Sequence, residues 1–227
     1  MAAIALIAVA GIVVLFVFVN INKKDVPTKP LTLALINNKS FVAAIKQKPQ
    51  KEKEIILTDA SKILREQIHS VTDNKHKDFV PDDFINVNPI IDFMLTLDSK
   101  NGHAIYFRGE VYRLLNNNDQ FVEYFQQYLH TEDSIGLLLP RVTDARLCYD
   151  TPHGFCEKRT AWISQLLANY YYKKGMDEPD LNKKEESFNA AIKYIRNVRT
   201  HFPDGFKSSS VTMSTLELET NLSANIN

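Results

Sequence analysis

The sequence is poor in glycine, with seven in 227 residues, and it has few stretches in which apolar and polar residues alternate. Half-buried strands need that alternation, so a fold rich in strands is not expected. Leucine, isoleucine, phenylalanine and tyrosine recur instead at spacings of three and four, which is typical of amphipathic helices. The pattern predicts an all-α domain.

Several short motifs that mark common enzyme classes are also missing. The chain contains no glycine-rich phosphate loop, no dinucleotide-binding fingerprint, no His-Glu-x-x-His pair and no Gly-x-Ser-x-Gly elbow. Adjacent carboxylates such as Asp82 and Asp83 lie in polar stretches, where they are most simply surface charge. We therefore expect no cofactor and a protein that is not an enzyme, with a membrane-tethered enzyme kept as an alternative.

One segment lacks charge altogether. Residues 2–19 are eighteen consecutive residues without a charged or strongly polar side chain. As a helix they would extend about 27 Å, close to the hydrocarbon thickness of a bilayer. The main alternative, a cleaved signal peptide, needs a basic start and small residues before the cut, whereas this run starts without Lys or Arg and ends on the bulky Leu15–Phe18. The sequence predicts a transmembrane anchor over residues 1–22.

Charge differs between the two sides of the apolar run. No Lys or Arg precedes it, whereas residues 20–54 contain eight lysines and three acids. Because positive charge stays on the cytoplasmic side, we expect the N-terminus outside and the remaining chain in the cytoplasm, at a bacterial inner membrane. From Ile55 onward the chain has 19 basic and 24 acidic residues and no basic face interleaved with aromatics. That composition argues against nucleic acid as the main partner.

Composition divides the chain after the anchor into three parts. Two prolines and a polar, lysine-rich stretch predict a juxtamembrane stalk over residues 23–54. Its lysines could lie on anionic lipid head groups, but their spread spacing favours a solvated linker. Helical patterns fill residues 55–206, which we take as the domain. Residues 207–227 form a polar tail, for which a short helix and disorder both stay open.

The least common residue types cluster between Arg146 and Arg159, where Cys148, His153 and Cys156 lie. A metal site, a Cys–His nucleophile and an irregular structural loop are three hypotheses for this segment. The spacing matches no familiar zinc pattern and a fourth ligand is missing, so the structural loop is favoured. In the cytoplasm the two thiols should stay reduced, but on the opposite side of the membrane they could form a short-loop disulfide.

The domain is predicted to contain two similar helix–turn–helix units, which we interpret as a weak internal repeat. A helix from about Glu54 to Val71 and another opening at Asn88 should precede them. The helices of the two units are expected at His103–Leu115, Asp119–His130, Arg159–Lys174 and Lys183–His201.

In the first unit, the small Gly109 precedes the aromatic Tyr112 by three residues, and Phe125 follows on the second helix. The second unit keeps the small–aromatic spacing and closes on a proline, at Ala168, Tyr171 and Pro203. These features resemble tetratricopeptide repeats, and the resemblance implies an all-α domain built of α-helical hairpins. Phe121 and Tyr128 are larger than the small residues of that family, so we expect the helices to stack differently there.

In repeats of this kind the first helices line a groove, and the resemblance implies a protein partner bound in it. Tyr, Trp and Arg side chains with nearby amides suit such an interface. Carried onto this sequence, the groove would present His103, Tyr106, Glu110, Arg113, Trp162, Gln165, Asn169, Tyr172 and Lys173. The alternative is that Trp162 and Tyr106 simply pack against neighbouring helices.

These features predict a membrane-anchored scaffold that recruits a protein partner at the cytoplasmic face of the membrane. One alternative is a tethered enzyme or metal-dependent sensor that uses Cys148, His153 and Cys156. Another is an accessory subunit of a larger membrane complex, paired through small anchor residues such as Ala8 and Gly11. The sequence specifies neither the partner nor the oligomeric state.

Overall fold

The computed structural model describes residues 30–73, 78–135, 147–206, 208 and 212–226. Every regular element in these ranges is helical, which confirms the all-α prediction for them. The predicted anchor lies outside the described residues and stays a prediction. Within the described ranges, no helix is both long and apolar enough to cross a membrane.

The described helices all belong to the unit that begins at Leu33. Two short 3₁₀ turns, Pro81–Phe84 and Leu147–Asp150, lie between α-helices. The α-helices of the described ranges are α1 (Leu33–Ile36), α2 (Lys39–Lys46), α3 (Gln50–Thr72), α4 (Asn88–Leu97), α5 (Gly102–Leu114), α6 (Asn118–Ile135), α7 (Glu157–Asp177), α8 (Leu181–His201) and α9 (Thr215–Ile226).

The first predicted hairpin is present as α5 and α6. The side chain of Asn101 caps α5 by accepting a hydrogen bond from the backbone N–H of Ala104 at 3.2 Å. The helix ends at a turn where Asn116 has a φ of 55°, a left-handed conformation that asparagine tolerates. Gly109 allows the two helices to approach closely, because a Cβ at this position would overlap the ring of Phe125 on α6.

The second and longer hairpin consists of α7 and α8. Asp180 caps α8, because its carboxylate accepts hydrogen bonds from the backbone N–H groups two and three residues later, at 3.0 and 3.1 Å. Gly175 on α7 faces the ring of Phe188 on α8, as Gly109 faces Phe125. Both hairpins thus place a glycine of the first helix against a phenylalanine of the second.

An aromatic layer joins the two hairpins. The indole of Trp162 on α7 makes edge contacts with Tyr106 on α5 and Phe125 on α6, with ring centroids 5.8 Å apart in both pairs. Such edge-to-face pairs contribute about 0.5–1.5 kcal/mol beyond the burial of their area. Trp162 and Tyr106 therefore pack at least in part against neighbouring helices, which was the alternative to a role in a groove.

The two residues that were expected to disturb helix stacking are buried in the core. Phe121 makes an edge contact with Tyr170 of α7, with centroids 5.4 Å apart. Tyr128 packs on Phe155, just before α7, with centroids 5.2 Å apart. Their bulk fills the space between the hairpins.

The N-terminal border of the domain differs from the prediction. Residues 33–54, which were expected in the stalk, form α1, α2 and the start of α3. Ile36 and Ile45 are buried, and Phe41 stacks on Phe93 of α4 with centroids 6.5 Å apart. Most lysines of the segment stay exposed. The composition therefore resembles that of a linker, although a few apolar residues pack this segment onto the domain.

The C-terminal part is also more ordered than a polar tail. Residues 215–226 form α9, and its Leu218 and Leu222 are buried where the helix packs on α7 and α8. Arg199 of α8 donates hydrogen bonds to both carboxylate oxygens of Glu219, at 3.0 and 2.5 Å. One apolar face with a spacing of four residues is sufficient to dock this helix.

We predict that Gly109→Ala destabilises the domain even though alanine is the better helix former. The added methyl group would overlap the ring of Phe125, which is fully buried. Overpacking of this kind costs about 1–3 kcal/mol, against a gain of at most about 1 kcal/mol in helix propensity. Urea denaturation at neutral pH measures the net change.

The Phe125→Leu background is the matched control for this experiment, since the smaller side chain leaves room for the methyl group. Gly109→Ala should lower the free energy of unfolding clearly less in that background. An equal loss of stability in both backgrounds would show that the contact between Gly109 and Phe125 is not the cause.

Candidate functional site

A cavity of about 420 Å³ opens between α5, α7 and the loop that precedes α7. From α5 it is lined by Tyr106, Glu110 and Arg113, and Trp162 of α7 faces it. These are four of the nine residues that the sequence assigned to a partner groove. The remaining lining side chains in the described part of the chain are Cys148, Tyr149, Cys156, Lys158, Arg159 and Phe206.

The loop beside the cavity is closed by a disulfide. Cys148 and Cys156 are bonded to each other, with Cα atoms 5.7 Å apart. The expectation of reduced thiols is therefore wrong. The bond also removes the metal and nucleophile hypotheses for Cys148, His153 and Cys156, because neither sulfur is available as a ligand or thiolate. Across the described residues, no group of three His, Cys, Asp or Glu side chains is placed to hold a metal ion.

Hydrogen bonds attach this disulfide loop to the start of α5. The side chain of Asn101 donates to the carbonyl of Pro152, and the backbone N–H of Gly102 donates to the carbonyl of His153, both at 2.8 Å. Gly154 has a φ of +76°, and a Cβ there would overlap His103. The loop is therefore held in one shape by its own glycine and by α5.

Arg159, on the first turn of α7, is the buried cation of the site, with 6% of its surface exposed. Its Nη1 donates to the carbonyl of Gly154 at 2.5 Å and lies 3.3 Å from Nδ1 of His103. The guanidinium carbon is 4.2 Å from the ring centre of Tyr106 and 5.0 Å from that of Tyr149. Cation–π attraction to these rings compensates part of the cost of burying the charge.

The nitrogen Nη2 of Arg159 is buried and has no hydrogen-bond acceptor. Among the described residues, no carboxylate forms an ion pair with this guanidinium, although ion pairing is how buried arginines are usually compensated. Burial lowers the pKa of Arg159, but the nearby Tyr128, Tyr149 and Tyr106, together with a side-chain hydrogen bond to Tyr149, outweigh burial and raise this pKa above its ordinary value. Arg159 therefore stays charged and incompletely satisfied.

His103 is fully buried next to this cation. Burial, and then the charge of Arg159, lower the pKa of His103 to about 3. The neutral ring has a defined tautomer: Nε2–H donates to the carbonyl of Thr151 at 2.8 Å, which leaves Nδ1 to accept from Arg159. The residue was predicted to contact a partner, and its burial corrects that prediction. It instead connects the loop to Arg159.

Arg113 and Glu110 form a charged pair at the mouth of the cavity. Arg113 donates from Nε and Nη2 to the two carboxylate oxygens, at 2.8 and 3.1 Å. Burial lowers the pKa of Arg113, but the hydrogen bond and charge of Glu110 outweigh burial and raise it. The guanidinium also lies 5.7 Å from the ring centre of Trp162. Burial, followed by the charge of Glu110, holds the pKa of Tyr106 well above its usual value, so that phenol stays neutral.

Two other predicted groove residues bind the chain itself. Gln165 is fully buried, and its side chain donates to the carbonyl of Met213 at 2.8 Å and accepts from the hydroxyl of Thr215. Asn169 accepts from the backbone N–H of Met213 at 3.0 Å and donates to its carbonyl at 3.2 Å. The prediction that Gln165 lines an open groove is wrong, because the segment before α9 covers it.

The last two predicted residues lie away from the cavity. Tyr172 stacks on Phe188 with centroids 5.9 Å apart and belongs to the hairpin core. Lys173 is exposed and lines a separate depression with Asp119 and Tyr170. The structure thus brings Tyr106, Glu110 and Arg113 together with Trp162 and leaves Tyr172 and Lys173 elsewhere.

Sequence reasoning missed four lining residues, which are Tyr149, Lys158, Arg159 and Phe206. A signal for Arg159 was available, because it precedes Trp162 by three residues and so lies on the same face of α7. Tyr149 and Phe206 lie in irregular segments, and their position depends on the tertiary fold.

No family model, curated protein or solved structure matches this chain.

We predict that His103 makes the domain sensitive to acid. In the unfolded chain a histidine titrates near pH 6.5, whereas the folded protein keeps His103 neutral down to about pH 3. Between these values the unfolded state binds the additional proton. The resulting stability is complete above about pH 6.5 and is lost as the pH falls, by up to about 1.4 kcal/mol per pH unit.

The measurement is the free energy of unfolding by urea at pH 7, 6, 5 and 4, for wild type and His103→Gln. The variant should show a flatter dependence on pH, because it has no histidine to protonate at that position. His130→Gln is the matched control, as His130 is exposed. The interpretation fails if His103→Gln and wild type lose stability in parallel.

Proposed function

We propose that this chain is a membrane-anchored interaction module that binds a protein partner at the cavity between α5 and α7. The observation that carries the proposal is the joint presence of Tyr106, Arg113 and Trp162, none of them fully buried, around one open cavity. Arg, Tyr and Trp are the side chains that most often dominate binding energy at protein interfaces.

The chain's own C-terminal segment supports a peptide-like partner. Gln165 and Asn169 hold the backbone of Met213 through both its N–H and its carbonyl. The same helix presents Trp162, one turn earlier, to the open cavity. A face of α7 that binds a segment of main chain at one end is suited to receive another at the other end.

A tetratricopeptide-like origin for the two hairpins belongs to this proposal. In its favour are the spacing of Gly109, Tyr112 and Phe125, and the close packing of a glycine against a phenylalanine in each hairpin. The longer α7 and α8 and the bulky Phe121 and Tyr128 distinguish the domain from regular repeats. Helix α9 would act as the polar cap that ends such an array.

The disulfide bears on which side of the membrane the domain occupies. Disulfides persist in oxidising compartments and are rare in the cytosol. The lysines of residues 20–54 favour a cytoplasmic domain, but such lysines only bias topology. A cytosolic location would leave both thiols reduced, which conflicts with the disulfide. We therefore propose that the domain faces the oxidising side of its membrane, opposite to the side predicted from charge.

We predict that Cys148 and Cys156 are oxidised in intact cells that express the full chain. Cells are treated with a permeant thiol-blocking reagent and lysed, and the protein is denatured. Samples taken before and after reduction are then labelled with a maleimide–polyethylene glycol, which adds mass to each free thiol. Two mass additions should appear only after reduction, and the chain has no other cysteine to confuse the count. The Cys148→Ser variant is the control, because its single thiol must be blocked at the first step. Thiols already blocked in wild type would place the domain in the cytosol.

We also predict that Arg113→Ala combined with Trp162→Ala abolishes recovery of the partner from native membranes. The full-length protein is purified under mild detergent, and co-purified proteins are identified and quantified by mass spectrometry. The expected loss is tenfold or more, since interface Arg and Trp residues each contribute on the order of 2 kcal/mol.

Lys173→Ala combined with Met176→Ala is the matched control, because it removes one cation and one large apolar side chain from an exposed part of α7. This variant should retain the partner. Recovery of no specific protein by wild type, or equal recovery by both double variants, would refute the proposed function. Circular dichroism verifies that each variant is folded.

A further inference from the structure

We propose that the cavity binds a carboxylate of its ligand through Arg159, with an apolar group of that ligand held against the aromatic wall. The inference rests on the proposed function, because it specifies the chemistry of the group that the cavity receives. It requires no knowledge of which protein supplies that group.

The first observation is the unsatisfied guanidinium. Arg159 is charged and almost entirely buried, and Nη2 has no acceptor while Nη1 is used by Gly154. A buried charged donor without an acceptor is costly, so its retention needs an explanation. An anion that enters the cavity would supply the missing acceptor.

The second observation is the balance of charge around the cavity. Lys158, Arg159 and Arg113 line it, and Glu110 is the acid among the described lining residues. Both oxygens of Glu110 are taken by Arg113. The described lining therefore has an excess of positive charge, and of its two arginines Arg159 is the one without an ion pair to a described carboxylate.

The third observation selects the kind of anion. Tyr106, Tyr149, Trp162 and Phe206 make much of the wall aromatic. One unoccupied guanidinium nitrogen suits a monoanionic carboxylate, whereas a phosphate dianion has three oxygens and needs several donors. An aromatic wall beside a single cation fits a carboxylate next to a flat apolar group, such as a C-terminal residue or a free aromatic acid.

The nitrogen Nη2 is enclosed in the free protein, so binding requires one ring of the wall to move. Tyr149 is half-buried and lies on the 3₁₀ turn inside the disulfide loop, whereas Tyr106 is part of α5. Displacement of the Tyr149 ring would leave the α-helices in place. The disulfide limits how far the loop itself can follow.

The chain has one tryptophan, Trp162, and it lines the cavity, so its fluorescence reports binding directly. The full-length protein in detergent is titrated at pH 7 with N-acetylphenylalanine and with its neutral amide. The acid should bind saturably and at least about tenfold more tightly than the amide, since one charge-assisted hydrogen bond accounts for that ratio. Equal affinities, or no saturable binding of the acid, would overturn the proposal.

Two further ligands distinguish the source and the class of the anion. Phenylpropionate has the ring and the carboxylate but no peptide group. If it binds more weakly than N-acetylphenylalanine, the natural carboxylate is that of a peptide C-terminus. If the two bind equally, the natural ligand is a free acid. Both outcomes support the carboxylate site. Inorganic phosphate should leave the fluorescence unchanged and should not compete, and tighter binding of phosphate would overturn the assignment.

On the protein side, Arg159→Met should remove the preference for acid over amide, and Arg159→Lys should keep part of it. The comparison between acid and amide on wild type needs no variant, so the test holds even if Arg159→Met fails to fold. Lys193→Met is the matched control, because it removes an exposed lysine far along α8 and should leave both affinities unchanged.

The outcomes separate this inference from the proposed function. Saturable acid binding without a recovered protein partner would retain the carboxylate site and remove the recruitment function. Recovery of a partner that depends on Arg113 and Trp162, without any acid binding, would retain recruitment and remove the carboxylate site.

Discussion

The guanidinium of Arg159 is the point where α5, α7 and the disulfide loop meet, and the local structure depends on how its charge is accommodated. A buried cation normally requires a carboxylate, but here the described neighbours are a loop carbonyl, a neutral imidazole and the faces of aromatic rings. These partners belong to α5 and to the disulfide loop, and Arg159 itself is on α7. Removal of the charge would therefore loosen three elements, whereas a surface ion pair such as Arg199 with Glu219 holds only two helices.

The state of His103 follows from that charge. A protonated ring would present an N–H to the guanidinium at the position where Nδ1 now accepts, so the neutral tautomer is the only one compatible with both of its contacts. The tautomer in turn directs Nε2–H to Thr151 and fixes the loop. The disulfide encloses the same loop from the outside by joining Cys148 to Cys156. Covalent and electrostatic constraints thus act on one short segment, and that segment forms a wall of the cavity.

The sequence was sufficient to predict helices with a strongly periodic apolar face. It was not sufficient to predict burial that depends on residues distant in the chain. The helices predicted for the two hairpins match α5 to α8 within a few residues, because each has a long apolar face. Residues 33–54 were predicted to be part of a stalk because they contain many lysines. A few buried apolar side chains such as Ile36 pack them onto the domain instead. At the site, Tyr106, Arg113 and Trp162 were assigned to a groove by the resemblance to tetratricopeptide repeats. The burial of His103 and Gln165 could not, because segments 50 residues or so away cover them.

The way Gln165 is covered also explains why the open cavity lies where it does. The face of α7 extends from Arg159 through Trp162 to Gln165 and Asn169, and the second half of it is occupied by the backbone at Met213. Helix α9 anchors that backbone through buried Leu218, so the occupied half is a permanent part of the fold. The first half keeps its aromatic and cationic side chains without a segment of the described chain on top of them. A single helix face thus binds the chain's own backbone with its second half and lines the cavity with its first half.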